Sequence, residues 1–146
     1  MKVGVVANSH SAIENLMWAC LEAGVSPDDM AKKSQSGDKE AKGWLTPTTN
    51  KVLGNWRAGN SGYVIGGTSW SFCAKEMFED QFDYIFVDEA AQFSLVDAIA
   101  VSANAKNLVL LGDPRQLTQV VQAIHPGGVD NSALGHYMGD AAILDA

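Results

Sequence analysis

The stretch Tyr84–Ser94, YIFVDEAAQFS, decides the fold. Ile85, Phe86 and Val87 follow one another without a polar break, so both faces of this run are apolar. A strand of that kind belongs in a parallel sheet covered on both sides. The run ends abruptly in Asp88-Glu89. Two adjacent carboxylates at the mouth of a buried strand are costly unless something compensates them. They can suit the positive end of a following helix. They can also hold a cation or do acid–base work on a bound nucleotide.

Working outward, three other runs share the pattern. Lys2–Ala7 (KVGVVA), Tyr63–Gly67 (YVIGG) and Asn107–Leu111 (NLVLL) are short, Val- or Leu-rich and apolar on both faces. With Asp83–Val87 they make four expected strands. Between them, Ile13, Leu16, Met17, Cys20 and Leu21 recur at helical spacing. Ser11 with Glu14 reads as a capping box in front of that stripe and Gly24 as its stop, so a helix is expected over 12–23. Further helices are expected around Phe72–Glu79, over Leu95–Ala103 and near Leu134. The segment 26–60 carries Asp28-Asp29, Lys32-Lys33, Gly37 and Pro47, and reads as an irregular insertion with one short helix.

Strands alternating with helices imply an open α/β sheet, mainly parallel, with helices on both faces. In such sheets ligands bind outside the carboxyl ends of the strands. The loops NSHS (8–11), GGTSW (66–70), DEAAQ (88–92) and GDPRQ (112–116) then gather along one rim. GDPRQ can be a plain helix start, with Asp113 as N-cap, Pro114 at the first helical position and Gln116 as capping partner. It can also sense a phosphate. Ser9 and Ser11 can cap a helix or meet an anion there. Thr68 and Ser69 can hold a phosphate backbone, and Trp70 can stack on a base or sit in the core. His10 reads as solvent-facing or packed.

The bulk properties narrow the class. The chain has 146 residues, 47% of them hydrophobic and 18% charged, which suits one domain or part of one. No apolar run reaches the roughly 18 residues of a membrane span. The first apolar run stops at Asn8, without the pattern of a secretory signal. Cys20 and Cys73 stand at no metal-binding spacing, and a cytoplasmic, reducing setting is expected. The net charge is −7, so nothing global advertises a polyanion partner. Basic residues cluster only locally, between Lys32 and Arg57. A nucleic acid would have to be met through local contacts.

Taken in order, VVANSHSAIENLM, VIGGTSW, YIFVDEAAQFS and NLVLLGDPRQL resemble motifs Ia, Ic, II (Walker B) and III of superfamily 1 helicases. The resemblance is to the 5′-to-3′ branch, the Dna2/Upf-like group, and within it to bacterial chains in which the helicase is fused to a RecB-like nuclease. HPGGVDNSALGH resembles the segment after motif III. The resemblance spans the chain apart from 26–60 and rests on the order and spacing of four motifs. It implies a RecA-like P-loop NTPase sheet, with residues 1–146 forming part of the first such domain (1A). It implies Mg²⁺ held with ATP by Asp88, and water activated by Glu89. Gln92 would join the network around the γ-phosphate. Asp113 and Gln116 would couple that network to the nucleic-acid groove, Gln116 lying nearest the γ-phosphate. Ser9, Ser11, Thr68 and Ser69 would touch the backbone of single-stranded DNA, or of RNA, with Trp70 beside them.

The chain also departs from the family. No G-x-x-x-x-G-K-[ST] loop occurs in it; Ala41-Lys42-Gly43 has the wrong order. The second RecA-like domain, with its arginine finger, is not represented either. Without the loop's backbone cradle and lysine, Asp88 and Glu89 have little to hold a triphosphate in place. The sheet is then expected to be incomplete at the P-loop strand, which would lie beside Leu108–Leu111 and whose absence leaves an apolar edge open. The 146 residues alone are expected to be inactive as an ATPase, and to be part of a larger motor. Two alternatives stand beside this: a non-catalytic helicase-like module that binds single strands or a protein, and a P-loop ATPase of another kind.

Overall fold

The four runs that are apolar on both faces become strands of a five-stranded parallel sheet, three of them central and Leu108–Leu110 at an edge. The computed structural model describes residues 1–33, 43–113 and 132–138. The strands are β1 (Lys2–Val6), β2 (Met30–Lys32), β3 (Tyr63–Gly67), β4 (Tyr84–Val87) and β5 (Leu108–Leu110). Their order is β2-β3-β1-β4-β5, and every pairing is parallel. The helices are α1 (His10–Glu22), α2 (Asn50–Ala58), α3 (Ser69–Phe72), α4 (Leu95–Ser102) and α5 (Ala133–Met138).

Alternation along each strand divides the core in two. Val3 and Val5 of β1, with Val64 of β3, pack with Ile13 and Met17 of α1 on one face. Val6, Ile65, Ile85 and Val87 point to the other, where Phe72, Phe82, Phe93 and Val101 fill the space under α3 and α4. Helices therefore cover both faces, as the sequence pattern required. Beneath the sheet the buried Arg57 of α2 lies against two rings. Its guanidinium carbon is 4.4 Å from the Phe82 ring centroid and 5.7 Å from that of Tyr63.

Some expectations change in the structure. The cap of α1 is Ser9, whose Oγ accepts from the N–H of Ala12 at 3.1 Å. Ser11 lies inside the first turn, where its own backbone is helical and cannot cap. Glu14 serves another purpose: its carboxylate accepts from Lys32 Nζ at 2.9 Å. The segment 26–60 is not irregular throughout. It supplies a 3-10 turn (Pro27–Asp29), edge strand β2 and helix α2, capped by Thr49. Three residues are too few to show periodicity, and β2 forms because Met30, Ala31 and Lys32 are all buried against β3 and the Leu45 backbone. Residues 34–42 of this segment lie outside the described residues. The helix expected around Phe72–Glu79 is split into α3 and a 3-10 turn, Lys75–Met77, because Ala74 between them is extended.

The start of β4 is tied to both neighbours. Asp83 accepts from Lys106 Nζ at 2.8 Å and from the backbone N–H of Lys2 at 2.8 Å. The Lys106 hydrogen bond, then the Lys2 amide, hold its carboxyl below the usual aspartate range. A depressed folded-state pKa contributes stability that is present above the unfolded value, about 4, and is lost as pH falls through the folded value. The Asp83→Asn variant should therefore show a shallower fall of thermal midpoint below about pH 4. An unchanged acid limb would show that the contact adds nothing to folding.

Candidate functional site

Because the sheet is parallel, the chain leaves β1, β3, β4 and β5 at the same edge. The loops expected on one rim are therefore neighbours. After β4, Asp88 N–H donates to the carbonyl of Val6, prolonging the ladder by one residue. Asp88 Oδ1 then accepts from the N–H of Glu89 at 2.9 Å. Glu89 has φ 53°, the left-handed conformation, and is the one non-glycine with positive φ among the described residues. Such a residue persists only where its surroundings over-determine it, and this occurs most often at functional sites.

The surroundings that hold Glu89 can be named. Gln92 N–H donates to the carbonyl of Glu89 at 2.7 Å, closing a turn. Ala90 N–H donates to Leu111 O at 2.8 Å, and Leu134 N–H to Ala90 O at 3.3 Å. The β5 loop lies directly against this turn. A Cβ on Gly112 would stand 3.0 Å from Ala90 N and 3.2 Å from Ala91 N, so the contact needs a residue without a side chain. The loop after β5 and the Asp88–Glu89 turn thus share a hydrogen bond and a glycine contact. Asp113 is exposed beside them. Gln116, with Pro114 and Arg115, lies outside the described residues.

The β1 loop is joined to the same turn from the other side. Asn8 Nδ2 donates to the carbonyl of Gln92 at 2.6 Å. Asn8 was legible only as part of a polar loop; a side chain reaching a carbonyl 84 residues away has no local signature. Ser9 and Ser11 follow, their hydroxyls 3.2 Å apart, and His10 is exposed between them. Beside them the β3 loop carries Thr68, half-buried, and Ser69, buried. Trp70 is 85% exposed, so it is not a core residue.

These loops enclose a cavity of about 440 Å³. Asn8, Thr68, Ser69 and Trp70 line it on one side, Gln92 and Asp97 on the other. Gln92 therefore reaches the side of the rim that carries Ser9 and Thr68. Asp97 was not foreseen. It sits in the first turn of α4, where Ser94 caps the helix and donates its hydroxyl to Asp97 Oδ2 at 2.7 Å. The basic stretch between Lys32 and Arg57 does not form a cationic patch here. Lys32 is buried against Glu14, and Arg57 is buried under the sheet. Among the described residues, no three His, Cys, Asp or Glu side chains converge as a metal site, and no helix is long and apolar enough to cross a membrane.

Residues 56–123 match the family described as AAA domain. No curated protein matches the chain. Among solved structures it is similar to the arterivirus nonstructural protein 10, a helicase solved in complex with DNA, at 19% identity and a TM-score of 0.54. The likeness covers 88% of this chain and 26% of that one, so the chain spans about a quarter of that protein's length. At this identity the likeness speaks for the fold, an α/β RecA-like sheet.

Proposed function

We propose that this chain is part of the ATP-dependent motor core of a superfamily 1 DNA helicase, namely part of its first RecA-like domain. The observation that carries the reading is the turn at Asp88–Glu89. It is held in a left-handed conformation by the β5 loop on one side, and its end, Gln92, is tied to the β1 loop on the other. A site that must pass a change at a nucleotide to a nucleic-acid groove needs contacts of this kind. The AAA-domain match over 56–123 and the likeness to a helicase solved with DNA support the same reading.

Bound ATP with Mg²⁺ supplies the scissile phosphoanhydride and the charge that neutralises it. Asp88 suits the metal ion of that pair, while the chain offers no phosphate-binding loop for the triphosphate. Mg²⁺ prefers oxygen ligands and keeps several waters, so a single carboxylate at a strand end suffices alongside phosphate oxygens. Asp88 would hold the ion, directly or through water. Glu89 would orient the attacking water and accept its proton on the carboxylate. Gln92, Asp113 and Gln116 would link this site to the groove, and Ser9, Ser11, Thr68 and Ser69 would face a single strand. Ser69 is buried, so its part would be to shape the loop rather than to meet the strand broadly. The parent would belong to the Dna2/Upf-like group, act in the cytoplasm, and carry a second RecA-like domain. A fused RecB-like nuclease is part of the same proposal, and RNA is the alternative strand.

A second reading is favoured by one fact: the 146 residues contain no G-x-x-x-x-G-K-[ST] loop. By themselves they would then act as a module that binds single strands or a protein, without turnover. Fluorescence polarisation with a labelled single strand, alongside phosphate-release measurements, separates these outcomes. Weak, salt-sensitive binding is expected from the chain alone, with no DNA-stimulated phosphate release. Absence of binding at low salt would remove the nucleic-acid part of the proposal. Strand-stimulated turnover abolished by Glu89→Gln would overturn the expectation that the chain alone is inactive.

A further inference from the structure

The 440 Å³ cavity between the β1 and β3 loops and α4 does not have the chemistry of a phosphate site. None of the residues that line it is Lys or Arg, and Asp97 contributes a carboxylate. A strand's phosphates would be repelled there. A neutral base would not. Trp70, 85% exposed on the rim, offers a flat apolar face, and base–aromatic stacking accepts any base. The polar groups that line the cavity are what can discriminate.

Thr68, Ser69 and Gln92 can donate or accept, while Asp97 and Asn8 offer acceptors. Asp97 Oδ2 already accepts from Ser94 Oγ, and Oδ1 has no partner among the described residues. Asn8 uses its Nδ2 on the Gln92 carbonyl, which leaves its Oδ1 as an acceptor. An aspartate pairs well with the exocyclic amine of cytosine. Thymine presents a carbonyl oxygen at the equivalent position, which a carboxylate repels.

We propose that this cavity is a nucleobase pocket, in which Trp70 stacks on a base and Asp97 accepts from its exocyclic amine, so that the chain prefers amine-bearing bases to thymine. The proposal rests on the single-strand reading above and deepens it, by adding base selection to a surface otherwise expected to meet only the backbone. Cytosine and thymine strands make the cleanest comparison, because both are pyrimidines of similar stacking area.

The test is fluorescence polarisation with labelled oligo(dC) and oligo(dT) of equal length at one low ionic strength. Oligo(dC) should bind about fivefold more tightly, the lower end of the discrimination that a base-edge contact supplies. Asp97→Asn should bring the two affinities within about twofold. It keeps the contact with Ser94, because an amide oxygen also accepts from a hydroxyl. Trp70→Ala, a change at an exposed side chain, should weaken both strands by about tenfold. Equal affinities in the unmodified chain, or a preference that survives Asp97→Asn, would refute the base pocket while leaving strand binding intact. Failure of both strands to bind would remove the single-strand reading and the pocket together.

Discussion

Glu89→Gly and Glu89→Ala should both abolish hydrolysis, but only the Gly variant should also relieve the strain of the fold. The prediction follows from φ 53° at Glu89. A residue with a Cβ is disfavoured in that conformation by about 1 kcal/mol or more, and glycine is not. At an ordinary position Ala is the more stabilising of the two. Here the order should reverse, with the Gly variant about 1 kcal/mol more stable than the Ala variant in urea titrations. Hydrolysis is a separate matter. In a protein that joins these residues to a phosphate-binding loop, losing the carboxylate that takes the water's proton should lower turnover by about a thousandfold. Glu89→Gln should be as inactive as Glu89→Gly. An Ala variant at least as stable as the Gly variant would mean that the turn relaxes and holds no strain. A Gln variant with nearly full turnover would remove Glu89 from the chemistry.

Arg57→Ala should be the most damaging single truncation outside the apolar core, at about 4 kcal/mol. Arg57 is 3% exposed. Its Nε donates to Tyr63 Oη at 2.5 Å, and Nη1 donates to the carbonyls of Met77 at 2.7 Å and Glu76 at 3.2 Å. Truncation strands those acceptors in the interior and removes the cation from the faces of Phe82 and Tyr63. Tyr63→Phe deletes only one of the hydrogen bonds and should cost about 1 kcal/mol. The two variants, compared by chemical denaturation with circular dichroism, separate the guanidinium from the hydroxyl. Equal losses would mean that the Tyr63 contact carries the whole effect. A domain whose total stability is about 5–15 kcal/mol would lose a large part of it with Arg57.

The strands were legible because each is apolar on both faces, a pattern that few other structures tolerate. KVGVV, YVIGG and YIFV were expected within a residue or two of where they lie. The polar loops were placed on one rim by topology alone, since parallel strands all end at the same edge. What could not be read was anything carried by a single distant contact. Strand β2 has three residues and forms because β3 offers an edge and Lys32 finds Glu14. The cap of α1 was placed two residues late because Ser9 and Ser11 are equivalent on paper, and only backbone geometry distinguishes them. Arg57 looked like one member of a basic cluster and is a buried cation.

The same division runs through the candidate site. Asp88 and Glu89 stand where an apolar strand gives out, and the sequence by itself determined that they would be at a strand mouth. It determined the companions on the rim as well, because chain order and parallel pairing leave no other arrangement. Only the tertiary structure decided how those loops hold one another. Asn8 reaches Gln92, Gly112 lies against Ala90 and Ala91, and Asp97 lines the same cavity as Trp70. The reason is physical: periodicity reports which face of an element is buried, and it carries no information about which distant loop fills the space above it.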